Sequence, residues 1–206
     1  MDYTKSKFLF QLKKTVRYVR LFGLQRTFIK VLGQYHMKSE DGFDGVKWIN
    51  DRCSSPDAKG RVIGILGCGN FAYSHIAYYL FKIRKDFLRC GYDKDPSRSK
   101  SLCLKYRGAF ACSNWRDVIE DEAVKMVFIA SNHASHAEYA VACMKAGKDV
   151  HIEKPHVVSE EQLSLLRKAM LEYPESKVFL GFNRPRSPLF MSLKEELSRQ
   201  SGPLMI

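Results

Sequence analysis

A glycine-rich segment that follows an apolar run constrains the fold of this 206-residue chain more than any other feature. Residues 62–66 are apolar and rich in β-branched side chains, and the pattern Gly67-x-Gly69-x-x-Ala72 follows them and opens an amphipathic stretch. Glycines at these positions permit a tight turn and a close approach of the backbone to phosphates, and a small third residue lets a helix pack against the strand. Residues 67–72, here called the glycine loop, are therefore interpreted as a dinucleotide-binding loop, with the phosphates at the amino terminus of the helix.

Alternating strand and helix signals continue from the glycine loop to the end of the chain. Further strands are predicted at residues 87–92, 109–112, 124–130, 149–152 and 178–181, with helical segments between them. Such alternation favours parallel strands joined by right-handed crossovers. The sequence therefore predicts an α/β fold, a Rossmann-type doubly wound parallel sheet, preceded by a basic helical amino-terminal extension.

The amino-terminal extension is amphipathic and basic. Apolar residues at helical spacing form one stripe from Phe8 to Phe22 and a second from Leu24 to Tyr35, and Gly23 is expected to break the helix between them. Such a helix could lie on an anionic membrane surface, or its apolar stripe could pack on the following domain or on a partner protein. The predicted boundaries are 1–38 for this extension, 39–60 for a connector, 61–185 for a nucleotide-binding domain and 186–206 for the start of another domain.

The charge of the chain is concentrated in this extension. The formal net charge is +12, and residues 1–38 hold nine of the 34 Lys and Arg residues but one of the 22 acidic ones. Nucleic-acid binding is therefore not expected of the globular part, and the basic segment carries no recognisable nucleic-acid-binding motif. Six cysteines without a C-x-x-C pair indicate reduced thiols in a cytoplasmic protein, not a disulfide framework or a metal site.

Polar residues that follow predicted strands supply further candidates for the site, because ligands of parallel sheets bind beyond the carboxyl ends of the strands. Asp93 follows the second strand of the nucleotide-binding domain, where a carboxylate accepts hydrogen bonds from ribose hydroxyls and repels a 2′-phosphate. NAD is favoured on this basis, while nearby Lys94 and Arg98 keep NADP as an alternative.

Two other strand ends carry polar groups. Ser131, Asn132 and His133 follow one strand, and His133 and His136 are either chemical groups or residues that begin a helix. Glu153-Lys154-Pro155 follows the next strand, where a lysine beside a nicotinamide could hold a substrate hydroxyl or relay a proton. On its own, this tripeptide also fits a charged turn.

Together these motifs resemble the glucose-fructose oxidoreductase, inositol dehydrogenase and MocA-like family (Gfo/Idh/MocA). The run Ala146-Gly-Lys-Asp-Val-His-Ile-Glu-Lys-Pro155 is the most specific element, and Gly181-Phe-Asn-Arg184 adds to it. The resemblance implies a nicotinamide-dependent oxidoreductase of a sugar, cyclitol or polyol, with Lys154 at the position of the active-site lysine. The candidate cofactor-binding residues are Gly67, Gly69, Asn70, Phe71, Ala72, Asp93, Arg98, Ser131, Asn132, His133, His136, Glu153 and Lys154, and the substrate-side candidates are Asn183 and Arg184.

The resemblance also implies that a substrate domain follows the nucleotide-binding domain. Residues 202–206 resemble the first strand of that domain, which in the family supplies substrate contacts, a catalytic histidine and much of the oligomer interface. The chain by itself is therefore expected to bind a dinucleotide weakly, to have little dehydrogenase activity and to expose apolar surface. The alternative is a non-catalytic nucleotide-binding protein or a module that docks on a membrane or a partner through residues 1–38.

Overall fold

A parallel sheet with helices on both faces forms the core of the computed structural model, which describes residues 8–38, 48–49, 60–182 and 184–199. Within these residues seven strands lie in the order β1-β4-β3-β2-β5-β6-β7, and every neighbouring pair is parallel. The strands are β1 Trp48–Ile49, β2 Ile63–Leu66, β3 Leu88–Tyr92, β4 Phe110–Cys112, β5 Met126–Ile129, β6 Asp149–Ile152 and β7 Val178–Leu180. The predicted Rossmann-type topology is confirmed.

The helices follow the strands as the sequence predicts. They are α1 Phe8–His36, α2 Ala77–Ile83, α3 Pro96–Tyr106, α4 Trp115–Glu120, α5 His136–Lys145, α6 Glu160–Glu172 and α7 Pro188–Ser198. Local sequence explains several of their starts: Asp95 caps α3, Asn114 forms a capping box with Asp117 at α4, and Ser159 caps α6. A π-helical turn, Ala72–Ile76, precedes α2.

The core has two layers, one on each face of the sheet. Successive residues of β2 divide between them, because strand side chains alternate in direction. Ile65 packs with Leu102 of α3 on one face, whereas Leu66 packs with Ala140 and Met144 of α5 on the other. This division places the π-helical turn, α2 and α3 on the same face as the second half of α1.

Helix α1 bends where the sequence predicts, but it packs through a different face. Gly23 has φ 79° and ψ 166°, which interrupts the helix. The predicted second stripe is largely exposed, since Leu24, Phe28 and Tyr35 face solvent. A neighbouring face is buried instead, and its members are Thr27, Ile29, Gly33 and His36. Apolar periodicity therefore identified the helix, but of its second stripe Leu32 packs against the core while most other members are exposed. Ile29 and the polar contacts of Arg26 and His36 complete the docked face.

Strand β1 lies in the segment interpreted as a connector. Trp48 and Ile49 pair in register with Ala111 and Cys112 of β4, so this segment extends the sheet at one edge. Two residues are too few for an alternation signal, which explains why the sequence indicates packing here but not a strand.

Candidate dinucleotide-binding site

The ends of four adjacent strands bring most of the predicted site residues to one edge of the sheet. Tyr92, Leu66, Ile129 and Ile152 are register partners in neighbouring strands. The segments that begin at residues 93, 67, 130 and 153 therefore leave the sheet side by side. This is the position at which doubly wound sheets bind their ligands.

The glycine loop has the backbone geometry that a dinucleotide requires. Gly67 has φ 90°, and a Cβ at this residue would overlap the backbone of Ala130 and Ser131. A Cβ on Gly69 would meet no atom within 4 Å, so open space lies on that side of the loop. Ala72 is fully buried at the start of the π-helical turn. The N–H groups of the first turn have no acceptor within the helix, and such donors suit a phosphate.

The side chains of Asn70 and Phe71 lie against neighbouring parts of the protein. The buried Oδ1 of Asn70 has no hydrogen-bond partner among the described residues, and a Cβ on Gly33 would lie 2.5 Å from it. Phe71 stacks on His75 with a centroid distance of 4.7 Å.

Asp93 fixes the glycine loop to the end of β3. Its Oδ2 accepts a hydrogen bond of 2.8 Å from the backbone N–H of Cys68, and its Oδ1 accepts one of 3.0 Å from the N–H of Asp95. The Nε of Arg98 lies 3.1 Å from Oδ2 of Asp95. Arg98 is therefore paired with a carboxylate, while partly exposed Asp93 stands at the expected position of the ribose.

The segment after β5 forms a short 3-10 turn, His133–Ser135, at the same edge. Asn132 caps this turn by accepting a hydrogen bond of 3.2 Å from the N–H of Ser135. The hydroxyls of Ser131 and Ser135 are 2.8 Å apart, and His133 is exposed. The side chains of Asn132 and Ser131 thus stabilise the turn that places His133 at the crevice.

His136 links two loops of the site. It is 1% exposed, its Nδ1 lies 2.7 Å from the carbonyl oxygen of Pro155, and its Nε2 lies 3.1 Å from that of Ser131. Since both ring nitrogens face backbone acceptors, the ring ties the segment after β5 to the segment after β6. Of the two readings left open by the sequence, this geometry favours the structural one.

The Glu153-Lys154-Pro155 segment presents one buried and one exposed charged group. Glu153 is 8% exposed, and burial raises the pKa of its carboxyl group, although the N–H of Lys154 and the charges of Lys154 and His136 oppose this shift. A Cβ on Gly181 would lie 2.9 Å from the Glu153 carboxyl group, so the carboxyl group packs directly against this glycine. Lys154 is exposed and precedes a cis peptide bond to Pro155.

Two residues have roles that the sequence did not reveal, one at the edge of the sheet opposite the site and one beside the glycine loop. Lys148 belongs to the most specific motif, yet its buried Nζ donates hydrogen bonds of 2.8 Å to the carbonyl oxygens of Asp121 and Val124. His36 of α1 contacts the glycine loop through Cys68. No local pattern marks either role, because both depend on residues distant along the chain.

The remaining predictions concern the substrate side and other ligands. Asn183 lies outside the described residues, as do residues 202–206, and Arg184 begins the 3-10 turn Arg184–Arg186. Within the described parts of the chain, no group of His, Cys, Asp and Glu residues is arranged to hold a metal ion. No described helix has the length and apolar character to span a bilayer.

Comparison with known proteins gives a consistent family. The Gfo/Idh/MocA model, described as an oxidoreductase family with an NAD-binding Rossmann fold, matches residues 61–180. Inositol 2-dehydrogenase 2 of Saccharopolyspora erythraea is 30% identical over 135 residues, which are 66% of this chain and 40% of that protein. The inositol 2-dehydrogenase of Acidothermus cellulolyticus has the same identity and coverage.

Solved structures agree with this result. An NAD-binding oxidoreductase from Klebsiella pneumoniae superposes with a TM-score of 0.58 at 28% identity, over 68% of this chain and 39% of that one. The apo scyllo-inositol dehydrogenase from Lactobacillus casei has a TM-score of 0.61 at 20% identity and supports the fold, over 68% of this chain and 42% of that one. The chain spans about two fifths of the length of the relatives that it matches.

Proposed function

Since the chain belongs to the Gfo/Idh/MocA oxidoreductase family, we propose that it provides the nicotinamide dinucleotide site of a dehydrogenase that acts on a sugar, cyclitol or related polyol. The glycine loop is the observation that carries this proposal. It combines a positive φ at Gly67, open space beside Gly69 and a helix start with free N–H donors.

Each part of the site has a role in this proposal. The backbone of residues 69–72 binds the pyrophosphate, and Asp93 accepts hydrogen bonds from the adenosine ribose. The bound nicotinamide supplies the hydride acceptor or donor. Lys154, exposed at the same edge, orients the substrate hydroxyl and stabilises charge on its oxygen.

We further propose that NAD is preferred over NADP. The carboxylate of Asp93 stands where a 2′-phosphate would have to lie, and like charges there repel. Of the two nearby cations that could offset this repulsion, Arg98 is paired with Asp95, whereas Lys94 is exposed.

Substrate turnover by these 206 residues is expected to be low. Hydride transfer requires substrate and cofactor to be held in one geometry, and Lys154 alone cannot fix a polyol. Robust oxidation of myo-inositol or a sugar by the purified chain would contradict this expectation.

Titration with NADH and with NADPH, followed by the fluorescence of the reduced nicotinamide, tests the cofactor proposal. Binding of NADH more tightly than NADPH is expected, and Asp93→Asn should reduce that preference. Binding of neither dinucleotide would overturn the proposed function, and a preference for NADPH would overturn the role of Asp93.

A second function is favoured by the exposed first half of α1. The apolar residues Leu12, Val16 and Leu21 lie exposed on α1 beside the exposed cations Lys13, Arg17 and Arg20. We propose that this segment docks on an anionic membrane surface. Co-sedimentation with vesicles containing phosphatidylserine should be lost in Arg17→Glu/Arg20→Glu and kept in Arg116→Glu, and equal sedimentation of both variants would refute it.

A further inference from the structure

The carboxyl-terminal end of α1 reaches the glycine loop through one histidine. His36 is 3% exposed, and its Nε2 lies 2.6 Å from the carbonyl oxygen of Cys68. Its Nδ1 lies 2.9 Å from the hydroxyl oxygen of Ser101 on α3. The ring stacks on Tyr73 with a centroid distance of 4.2 Å. Both nitrogens and one ring face are thus held, so the imidazole has a fixed position.

The hydrogen-bond partners of the His36 ring determine which of its two nitrogens carries the hydrogen. A carbonyl oxygen only accepts hydrogen bonds, so Nε2 carries the N–H, and Nδ1 of the neutral ring accepts from the Ser101 hydroxyl. Burial is the main cause that lowers the pKa of His36, which favours this neutral form.

The carbonyl that His36 holds belongs to the peptide that carries the N–H of Gly69. This peptide is trans, so its C=O and N–H point in opposite directions. A hydrogen bond from His36 to the Cys68 carbonyl therefore directs the Gly69 N–H away from α1 and polarises it as a donor. Cys68 is also held through its own backbone N–H, which donates a hydrogen bond of 2.8 Å to the carboxylate of Asp93.

Helix α1 is shaped to reach this position. Gly33 lies so close to the loop that a Cβ would be 2.5 Å from Oδ1 of Asn70 and 3.3 Å from Cβ of Ser74. About two turns further back along α1, Arg26 donates a hydrogen bond to the carbonyl oxygen of Ser74. The small size of Gly33 and the hydrogen bond of Arg26 together hold the second half of α1 against the glycine loop and the π-helical turn.

We propose that His36 is a positioning residue of the dinucleotide site, which orients the Gly69 N–H toward the pyrophosphate by holding the Cys68 carbonyl. The inference rests on the proposed function and adds to it that the amino-terminal helix is part of the cofactor site. It predicts that His36 contributes to binding of the pyrophosphate and not of the nucleoside.

The test compares His36→Ala, His36→Gln and Tyr35→Ala by NADH and ADP-ribose titration. His36→Ala should weaken both ligands about tenfold, the size of a lost hydrogen bond that orders a charged-ligand site. His36→Gln should stay within about threefold of the wild type, because its amide N–H can donate at the position of Nε2. Tyr35→Ala, at an exposed neighbour, should leave affinity unchanged.

Adenosine separates positioning from a general loss of structure. NMR titration with adenosine, which lacks phosphates, should give the same affinity for wild type and His36→Ala. Equal weakening of adenosine and NADH, unchanged NADH affinity in His36→Ala, or tighter NADH binding would each overturn the inference. If His36→Ala does not fold, His36→Leu replaces it in the same comparison with His36→Gln. Wild-type protein that binds neither dinucleotide would overturn the proposed function and this inference together.

Discussion

Gly67 and Gly69 flank Cys68 in the glycine loop, and they differ in the reason that a larger residue would be unfavourable. Gly67 has φ 90° and no room for a Cβ beside Ala130 and Ser131, whereas Gly69 has open space on its Cβ side. The fold therefore excludes a side chain at Gly67, whereas at Gly69 only the proposed dinucleotide would do so.

The pair Gly67→Ala and Gly69→Ala tests this difference. Gly67→Ala should lower the free energy of unfolding by about 2 kcal/mol or more, because it combines left-handed strain with overlap of the backbone. Gly69→Ala should unfold like the wild type but bind NADH at least about tenfold more weakly. Urea unfolding and NADH titration measure the two effects, and a loss of stability in Gly69→Ala would contradict the assignment.

Sequence reasoning at the scale of single residues succeeded where chemistry is local. The positions of Asp93 and Lys154 at strand ends follow from the pattern alone, and the structure places both at the same edge of the sheet. Lys148 shows the limit, because its hydrogen bonds to the carbonyls of Asp121 and Val124 join segments more than twenty residues apart. A motif can thus combine a buried residue that joins segments of the fold with an exposed residue at the opposite edge of the sheet.

Among the elements, α1 was the least predictable from sequence. Its helical periodicity and the break at Gly23 are visible in the chain, but its docking depends on contacts with the glycine loop and the π-helical turn. Strand β1 likewise exists through pairing with β4 and not through its own two residues. Elements with long periodic patterns were predicted, and those fixed by tertiary contacts were not.

Docking of the second half of α1 should weaken at acidic pH. His75 faces this helix, and burial followed by the charges of Lys30 and Arg26 lowers its pKa from 6.5 to about 4. Burial also lowers the pKa of His36, and the charge of Arg98 acts in the same direction. The hydrogen bond to the Cys68 carbonyl and the charges of Asp93 and Asp95 oppose this shift without cancelling it. When the helix is released, both histidine rings have ordinary pKa values. The released state therefore binds more protons than the docked state between pH 6.5 and about 4.

Hydrogen exchange of residues 24–36, corrected for the intrinsic rate, measures this effect. Protection should be constant above about pH 7 and fall progressively as the pH is lowered through 6 to about 4. The variant His75→Phe should show a smaller loss, because it keeps an aromatic ring against Phe71 and cannot be protonated. Equal protection at neutral and acidic pH would contradict the proposed contribution of the two histidines.

At the scale of the whole molecule, the sheet order and its two layers follow from alternation, because parallel strands require crossovers and helices on both faces. What alternation does not determine is which surfaces stay open. β7 and the described segments that follow it carry several exposed apolar side chains, namely Phe179, Leu180, Phe182, Leu189, Phe190, Met191 and Leu193. The expectation of exposed apolar surface is met in this region.

An apolar surface of this kind should make the chain associate with itself as its concentration rises. Light scattering after size-exclusion chromatography should show an apparent mass that increases with concentration, and Phe182→Ser/Leu189→Ser should reduce this increase. The control is Leu171→Ser on α6, which removes an apolar side chain as exposed as Leu189 but outside β7 and the segments that follow it, and which should have no effect. Single exposed apolar residues are common on monomeric proteins and need not cause association. An effect of Phe182→Ser/Leu189→Ser without an effect of Leu171→Ser would therefore assign the association to β7 and the segments that follow it. A constant monomer mass across the range would show that β7 and α7 do not form a self-association surface.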